Sequence, residues 1–97
     1  MNAKEEFLEE IKGKTVKCAI ISYYREEKNL YLKINYTEEK YQKFLKELNF
    51  EYDEGWGSQE LFGTIWYKDG TWSFREEYNG TEWWNYNKCP KIINELL

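Results

Sequence analysis

Hydrophobic and polar residues follow two different spacings in the first quarter of this chain. Residues 3–12 place their apolar side chains on one face of a helix, and Gly13 follows them. Residues 15–24 instead carry apolar side chains at both alternating sets of positions. The first spacing predicts a short helix that ends at the glycine. The second is typical of an interior strand with both faces covered.

The next two segments predict a second strand and a second helix. Residues 30–36 alternate between apolar and polar positions after a charged turn at 25–29, so this strand should form a hairpin with the first. Thr37 is a suitable N-cap, and the two acidic residues after it favour the positive end of a helix dipole. An apolar stripe then continues to Leu48, which predicts a helix over this stretch.

Three strands joined by tight turns are predicted in the second half of the chain. Alternating patterns cover residues 61–68, 71–76 and 81–86. Asp69-Gly70 and Asn79-Gly80 separate these patterns, and such dipeptides are the strongest short-range signals of two-residue hairpins. The segment therefore predicts an antiparallel meander.

A final helix is predicted over residues 91–97, because Pro90 suits the first turn of a helix. Its apolar side would be formed by Ile92, Ile93, Leu96 and Leu97. The predicted order of elements is α-β-β-α-β-β-β-α. Consecutive hairpins favour a largely antiparallel sheet of about five strands with helices packed on it. The 97 residues fit a single α+β domain over 1–97.

Aromatic residues make up 20% of the chain and concentrate in the predicted meander. Trp66, Trp72 and Phe74 occupy alternating strand positions, and this pattern predicts that they face the core. Trp83 and Trp84 are adjacent, so on a strand they must point to opposite faces of the sheet. We expect one of the two to be core and the other exposed, and we take Trp84 as the candidate for binding.

Residues 51–60 form the only predicted loop of any length. The loop is acidic, and Trp56 lies in it between Gly55 and Gly57. A tryptophan in this setting can fold back as a lid over the core, or it can serve as an anchor for a partner. Both interpretations stay open at this point.

The net charge of −4 is unevenly distributed along the chain. Residues 47–82 contain nine acidic residues and only two basic ones, Lys68 and Arg75, so the aromatic meander lies in the acidic part. A groove for single-stranded nucleic acid combines aromatics with lysines and arginines. The charge pattern therefore weighs against direct nucleic-acid binding. It favours a basic protein partner, which acidic residues steer and aromatic residues anchor.

The composition of the chain argues against acid–base catalysis and metal binding. The chain has no histidine, the commonest general base and metal ligand. Cys18 and Cys89 are expected to be free thiols, and two cysteines do not make a zinc site. The adjacent carboxylates Asp53-Glu54 and Glu76-Glu77 are more typical of solvated surface than of a glycosidase pair. We therefore expect no enzyme activity, no metal and no cofactor.

Location is also an expectation from the sequence. No apolar run approaches the roughly 18 residues that a membrane-spanning helix requires. The N-terminal residues are acidic and lack the apolar core of a signal peptide. A cytoplasmic protein without a membrane partner is therefore expected.

The segment 63–90, GTIWYKDGTWSFREEYNGTEWWNYNKCP, resembles a pattern in small uncharacterised proteins of bacteriophages and prophages. It shares their succession of a tryptophan, an Asp-Gly turn, a further tryptophan, an EYNG turn, a WW pair and a final CP. The resemblance covers roughly the last third of the chain. It implies an origin in a phage or mobile element, where small acidic proteins are often inhibitors of host defence, including anti-CRISPR proteins.

The sequence thus supports two hypotheses on function. In the first, the protein binds and inhibits a basic, nucleic-acid-handling host protein, such as a CRISPR effector, in the cytoplasm of a bacterium. The alternative is a module that binds a small ligand or single-stranded nucleic acid by stacking on exposed tryptophans. A homodimer is compatible with both. The candidate partner-binding residues are Tyr52, Asp53, Glu54, Trp56, Glu76, Glu77 and Trp84.

Overall fold

A computed structural model describes residues 1–53 and 57–97. These residues form two α-helices and one five-stranded sheet. The elements in chain order are α1 (Ala3–Glu10), β1 (Val16–Tyr23), β2 (Lys28–Leu32), α2 (Glu38–Leu48), β3 (Leu61–Tyr67), β4 (Trp72–Tyr78) and β5 (Thr81–Asn87). The strand order across the sheet is β2-β1-β3-β4-β5, and every neighbouring pair is antiparallel. The predicted α+β class and the order of these seven elements are confirmed.

Both helices begin at side chains that satisfy their first backbone donors. The Asn2 side chain accepts a hydrogen bond from the Glu5 backbone N–H at 2.9 Å. The Thr37 hydroxyl accepts one from the Lys40 backbone N–H at 3.2 Å. Each of these caps contributes about 1 kcal/mol to stability. α1 ends at Glu10, two residues earlier than predicted, and the chain turns through Gly13 at a φ of 74°.

Tight turns set the register of the second half of the sheet. Asn79 and Gly80 both have positive φ, 52° and 85°, as a type I′ turn requires. This turn places Tyr78 opposite Thr81 and fixes the pairing of β4 with β5 over their full length. β2 is shorter than predicted. It ends at Leu32, and the chain then turns through Asn35, whose φ is 63°.

The core lies between the sheet and the two helices, which both pack on the same face. Phe7 of α1 and Leu48 of α2 have no exposed surface. The rings of Phe7 and Phe44 meet edge to face with their centroids 5.5 Å apart. Ile65 of β3 is also fully buried. Burial of a side chain of this kind stabilises the fold by about 1.5–3 kcal/mol.

One sequence prediction about the core is wrong. Trp66, Trp72 and Phe74 do share a face of the sheet, but it is the face opposite to the helices, and Trp66 is 43% exposed. The helices instead cover Ser73 and Arg75, which are buried. Two polar side chains can be buried here because carboxylates of α1 meet them, as described below.

The predicted C-terminal helix is also wrong. Within the last residues only Asn94–Leu96 form a short 3₁₀ turn. Seven residues are too few to form a stable helix without tertiary packing, and every residue of 91–97 is exposed. Its apolar residues are accordingly exposed: Ile92, Ile93, Leu96 and Leu97.

The fold has two layers, with the helices forming one and the sheet the other. The shortest dimension of the molecule is 21 Å, which matches two packed layers at about 10 Å each. One face of the sheet therefore stays without a covering layer among residues 1–53 and 57–97. Neither α1 nor α2 has the length and hydropathy of a membrane-spanning helix.

Candidate binding surface

The sheet face opposite to the helices carries a concentration of large aromatic side chains. We call it the aromatic face, and its members are Tyr31, Phe62, Trp66, Trp72, Phe74 and Trp83. Four of them are more than one-third exposed: Tyr31 at 62%, Trp66 at 43%, Phe62 at 41% and Trp83 at 37%. Large contiguous apolar patches are uncommon on the surfaces of monomeric proteins, and they mark interaction sites.

Strand register arranges these side chains in adjacent rows. Trp66 of β3 lies directly opposite Trp72 of β4, and Cys18 of β1 flanks Trp66 on its other side. Phe74 lies one row further, opposite Thr64. Side chains directly opposite each other on antiparallel strands have Cβ atoms roughly 5 Å apart. The register therefore predicts one continuous aromatic surface across β3 and β4.

The sheet splits beside this surface. β3 pairs with β4 only from Thr64 to Trp66, so the first residues of β3 receive no hydrogen bonds from β4. The Glu82 carboxylate of β5 supplies the hydrogen-bond acceptors that β4 does not provide at this point. It accepts hydrogen bonds from the backbone N–H groups of Glu60 at 2.6 Å and Leu61 at 3.0 Å. A side chain thus satisfies buried backbone donors that strand pairing leaves free.

Arg75 occupies the helix side of this split and pairs with two carboxylates. Its guanidinium lies 2.8 Å from Glu6 of α1 and 3.2 Å from Glu82, and it donates to the Tyr52 hydroxyl at 2.9 Å. Burial alone would lower the pKa of Arg75, but the hydrogen bond and charge of Glu6 raise it above its usual value. The guanidinium also lies over the Trp84 ring, 5.2 Å from its centroid. Arg75 is therefore a structural cation.

A second polar contact joins α1 to β4. The Ser73 hydroxyl donates to the Glu10 carboxylate at 2.6 Å, and it lies 2.7 Å from the Tyr67 hydroxyl. Burial raises the pKa of Tyr67 to about 12. Burial, together with a hydrogen bond to Glu6, also raises the pKa of Tyr52. Ser73 has no exposed surface, so this cluster is closed to substrates.

Two of the predicted partner-binding residues are corrected by these contacts. Tyr52 is 4% exposed and Trp84 is 8% exposed, so both belong to the core. Trp84 lies opposite Arg75 in the β4–β5 register, and both the Trp84 and the Tyr52 rings lie beside the Arg75 guanidinium on the helix side of the sheet. Trp83 is the exposed member of the tryptophan pair. It lies on the aromatic face, directly opposite Glu76.

The remaining predicted residues are scattered. Glu76 shares the aromatic face with Trp83. The Glu77 carboxylate accepts a hydrogen bond from the Gly80 backbone N–H at 3.0 Å, so it stabilises the turn. Asp53 is exposed and lies 3.6 Å from Arg25. The predictions for Glu54 and Trp56 lie outside the described residues.

Charges are separated along the strand direction of the sheet. The end where β1 and β4 finish, which we call the acidic end, carries Glu26, Glu27, Glu76 and Glu77. Arg25 and Lys28 lie at the same end, but they are in ion pairs with Glu60, Asp53 and Glu26. The opposite end, which we call the basic end, carries Lys17, Lys33 and Lys68, and its one acidic residue in the β3–β4 turn is Asp69, whose carboxylate accepts hydrogen bonds from Thr71. Lys17 and Lys68 line one shallow cleft there.

Few of the described acidic residues in the stretch 47–82 lie on the aromatic face. Glu60 and Glu82 are buried on the helix side of the sheet, and among the described acidic residues of 47–82 only Glu76 has a strand position on the aromatic face. The aromatic face is therefore much less acidic than the sequence around it. No local signal located this face, because the polar residues Ser73 and Arg75 between the aromatic positions of β4 indicate the opposite orientation.

The described residues contain no group of three or more acidic or cysteine side chains that could hold a metal ion. Cys18 and Cys89 are both free. The sequence matches no protein family and no curated protein, and no solved structure matches the chain.

Proposed function

We propose that this protein is a non-enzymatic inhibitor that binds a basic, nucleic-acid-handling host protein. The contact surface is the half of the aromatic face nearest the acidic end. The observation that carries this proposal is the position of Trp83 and Phe62, exposed on the same face as Glu76. Exposed aromatics anchor protein interfaces, and carboxylates beside them steer a basic partner into contact.

The biological setting follows from the resemblance of residues 63–90 to small phage proteins. An inhibitor of a CRISPR effector or of another defence enzyme fits that setting, because such enzymes present basic surfaces to nucleic acid. A carboxylate-rimmed aromatic surface can occupy the position of the nucleic acid and exclude it. The protein needs no catalytic group for this activity.

Affinity capture from bacterial lysates tests the proposal when three baits are compared. The baits are the wild type, a Trp83→Thr/Glu76→Lys variant of the surface, and the control Lys46→Glu on the exposed side of α2. We expect a basic protein that wild type and control retain at low salt and release at high salt, because salt screens the charges. The surface variant should retain at least about tenfold less of it.

A second step tests inhibition itself. The captured protein is purified, and its binding to labelled nucleic acid is measured with increasing amounts of wild type or surface variant. Wild type should displace the nucleic acid at a stoichiometric concentration, and the surface variant should not. Equal capture by all three baits, or a ternary complex that keeps its nucleic acid, would contradict the proposal.

The basic half of the aromatic face supports a second candidate function, the stacking of single-stranded nucleic acid. Trp66 and Trp72 lie side by side there, and Lys68 follows Trp66 by two positions. Stacking on aromatics beside lysines is the usual mode of single-strand binding. Titration of tryptophan fluorescence with oligothymidylate separates the candidates. Salt-sensitive quenching that Trp66→Thr abolishes would favour nucleic acid, and unchanged fluorescence would exclude it.

A further inference from the structure

We propose that two copies of this protein associate through their aromatic faces, with the acidic end of each copy against the basic end of the other. The inference goes beyond the proposed function, because it concerns the protein on its own. It starts from a sheet that has helices on one face only. Sheets of this kind bury a second apolar face most simply by packing on another sheet.

The size of the face is sufficient for a weak dimer. Five strands about 4.8 Å apart and seven residues about 3.3 Å apart define a surface of roughly 500 Å² on each copy. Two such surfaces would bury about 1,000 Å², which is near the lower limit for a specific interface. We therefore expect a weak, reversible dimer.

Charge selects the orientation of the two copies. In an aligned sheet-on-sheet contact, a two-fold axis in the contact plane can run along the strands or across them. An axis along the strands would bring like ends together. Because β3 is the central strand, this arrangement would place Lys68 against the Lys68 of the second copy. Like charges at such a contact are unfavourable.

An axis across the strands exchanges the two ends and makes the contact complementary. It carries Glu76 of one copy to the end of the second copy that bears Lys68. The same rotation brings Lys17 and Lys33 toward Glu27 of the second copy. It also lays Phe62 over the region of Trp66, because these residues lie on β3 on either side of Thr64. The acid–base contacts and the aromatic contacts thus favour the same arrangement.

Sedimentation velocity on the full chain, from low to several hundred micromolar and at low and high salt, tests this inference. We expect a monomer–dimer equilibrium that weakens with salt. Glu76→Lys and Lys68→Glu should each weaken the dimer at least about tenfold, because each creates repulsion. The double variant should recover affinity to within about threefold of wild type, because the two reversed charges again lie at oppositely charged ends of the interface.

Two further variants make the outcome decisive. Lys46→Glu makes the same charge change on α2, away from the aromatic face, and should leave the dimer unchanged. Trp66→Thr keeps a strand-forming residue at an exposed position and should abolish the dimer. Circular dichroism checks that every variant is folded.

A protein that is monomeric at every concentration would overturn the inference. So would a dimer that survives Trp66→Thr and both single charge reversals, because its interface would lie elsewhere, for example at the edge of β5. Neither outcome bears on partner capture, so the proposed function would stand or fall separately. If both hold, the partner competes with the second copy, and the captured complex contains one copy only.

Discussion

The Arg75 guanidinium lies 3.2 Å from the Glu82 carboxylate, and both side chains are fully buried. This pair connects the two halves of the split sheet, because Glu82 also holds the backbone of Glu60 and Leu61. A buried pair of this kind adds little over a well-packed apolar substitute, but the loss of one partner leaves an uncompensated charge.

Replacement of Glu82 should therefore destabilise the fold strongly. Glu82→Gln removes the charge opposite Arg75 and one acceptor from the β3 backbone. We expect the free energy of unfolding, measured by urea denaturation, to fall by about 3 kcal/mol. The matched control is Glu77→Gln, which lies opposite Glu82 in register but is exposed. Its free energy of unfolding should change by less than about 0.5 kcal/mol, and equal losses would refute this role of Glu82.

The adjacent tryptophans should respond very differently to truncation. Trp84 is 8% exposed and packs on Arg75, so Trp84→Ala should lower the free energy of unfolding by about 3–5 kcal/mol. Trp83 is on the aromatic face, and Trp83→Ala should cost less than about 1 kcal/mol. Chemical denaturation of the two variants under identical conditions compares their free energies of unfolding. A larger loss for Trp83 would mean that the faces of β5 are reversed.

Gly63 should not tolerate a side chain. A Cβ at this position would lie 2.5 Å from the Ile20 backbone oxygen, well inside contact distance. Gly63→Ala must therefore push β1 away from β3, and overpacking of this kind costs about 1–3 kcal/mol. Thermal unfolding followed by circular dichroism measures the loss, with Thr64→Ala on the same strand as the control. A melting temperature equal to that of the control would contradict the close approach.

Stability should decline at alkaline pH through buried tyrosines. Burial raises the pKa of Tyr67 from its ordinary value of 10 to about 12. The unfolded chain loses this proton first, so the stabilisation is complete below pH 10 and is lost between pH 10 and 12. Tyr67→Phe should reduce the slope of unfolding free energy against pH in this window. Urea denaturation of the wild type and of this variant at a series of pH values measures the two slopes.

The sequence predicted the elements well because their signals are local. The alternation along β4, the Asn79-Gly80 turn and the Thr37 cap each act within a few residues. The alternation also showed correctly that Trp72 and Phe74 share a face. It could not show which face meets the helices, because that choice depends on residues far away in the chain.

The carboxylates of α1 determine which face of β4 meets the helices. Ser73 and Arg75 are buried because the carboxylates of Glu10 and Glu6 on α1 form hydrogen bonds with them. No pattern within β4 predicts these partners. With this face of β4 against the helices, Trp84 lies in the core and Trp83 lies on the aromatic face. The acidic stretch of residues 47–82 predicted a more acidic surface than the structure has. Glu60 and Glu82 contribute to the charge of this stretch, but both are buried. The final helix did not form because its seven residues are all exposed and gain too little tertiary packing to stabilise a helix.

The attachment of α1 to β4 has a consequence for synthesis on the ribosome. Glu6 and Arg75 are 69 residues apart in the chain, and Glu10 and Ser73 are 63 apart. Neither contact can therefore form until β4 has left the exit tunnel. Before that, α1 can pack on α2, where Phe7 meets Phe44, but the carboxylates of Glu6 and Glu10 lack their partners on the sheet. Attachment of α1 to the sheet is thus a late step of folding, which coincides with formation of the β4–β5 hairpin.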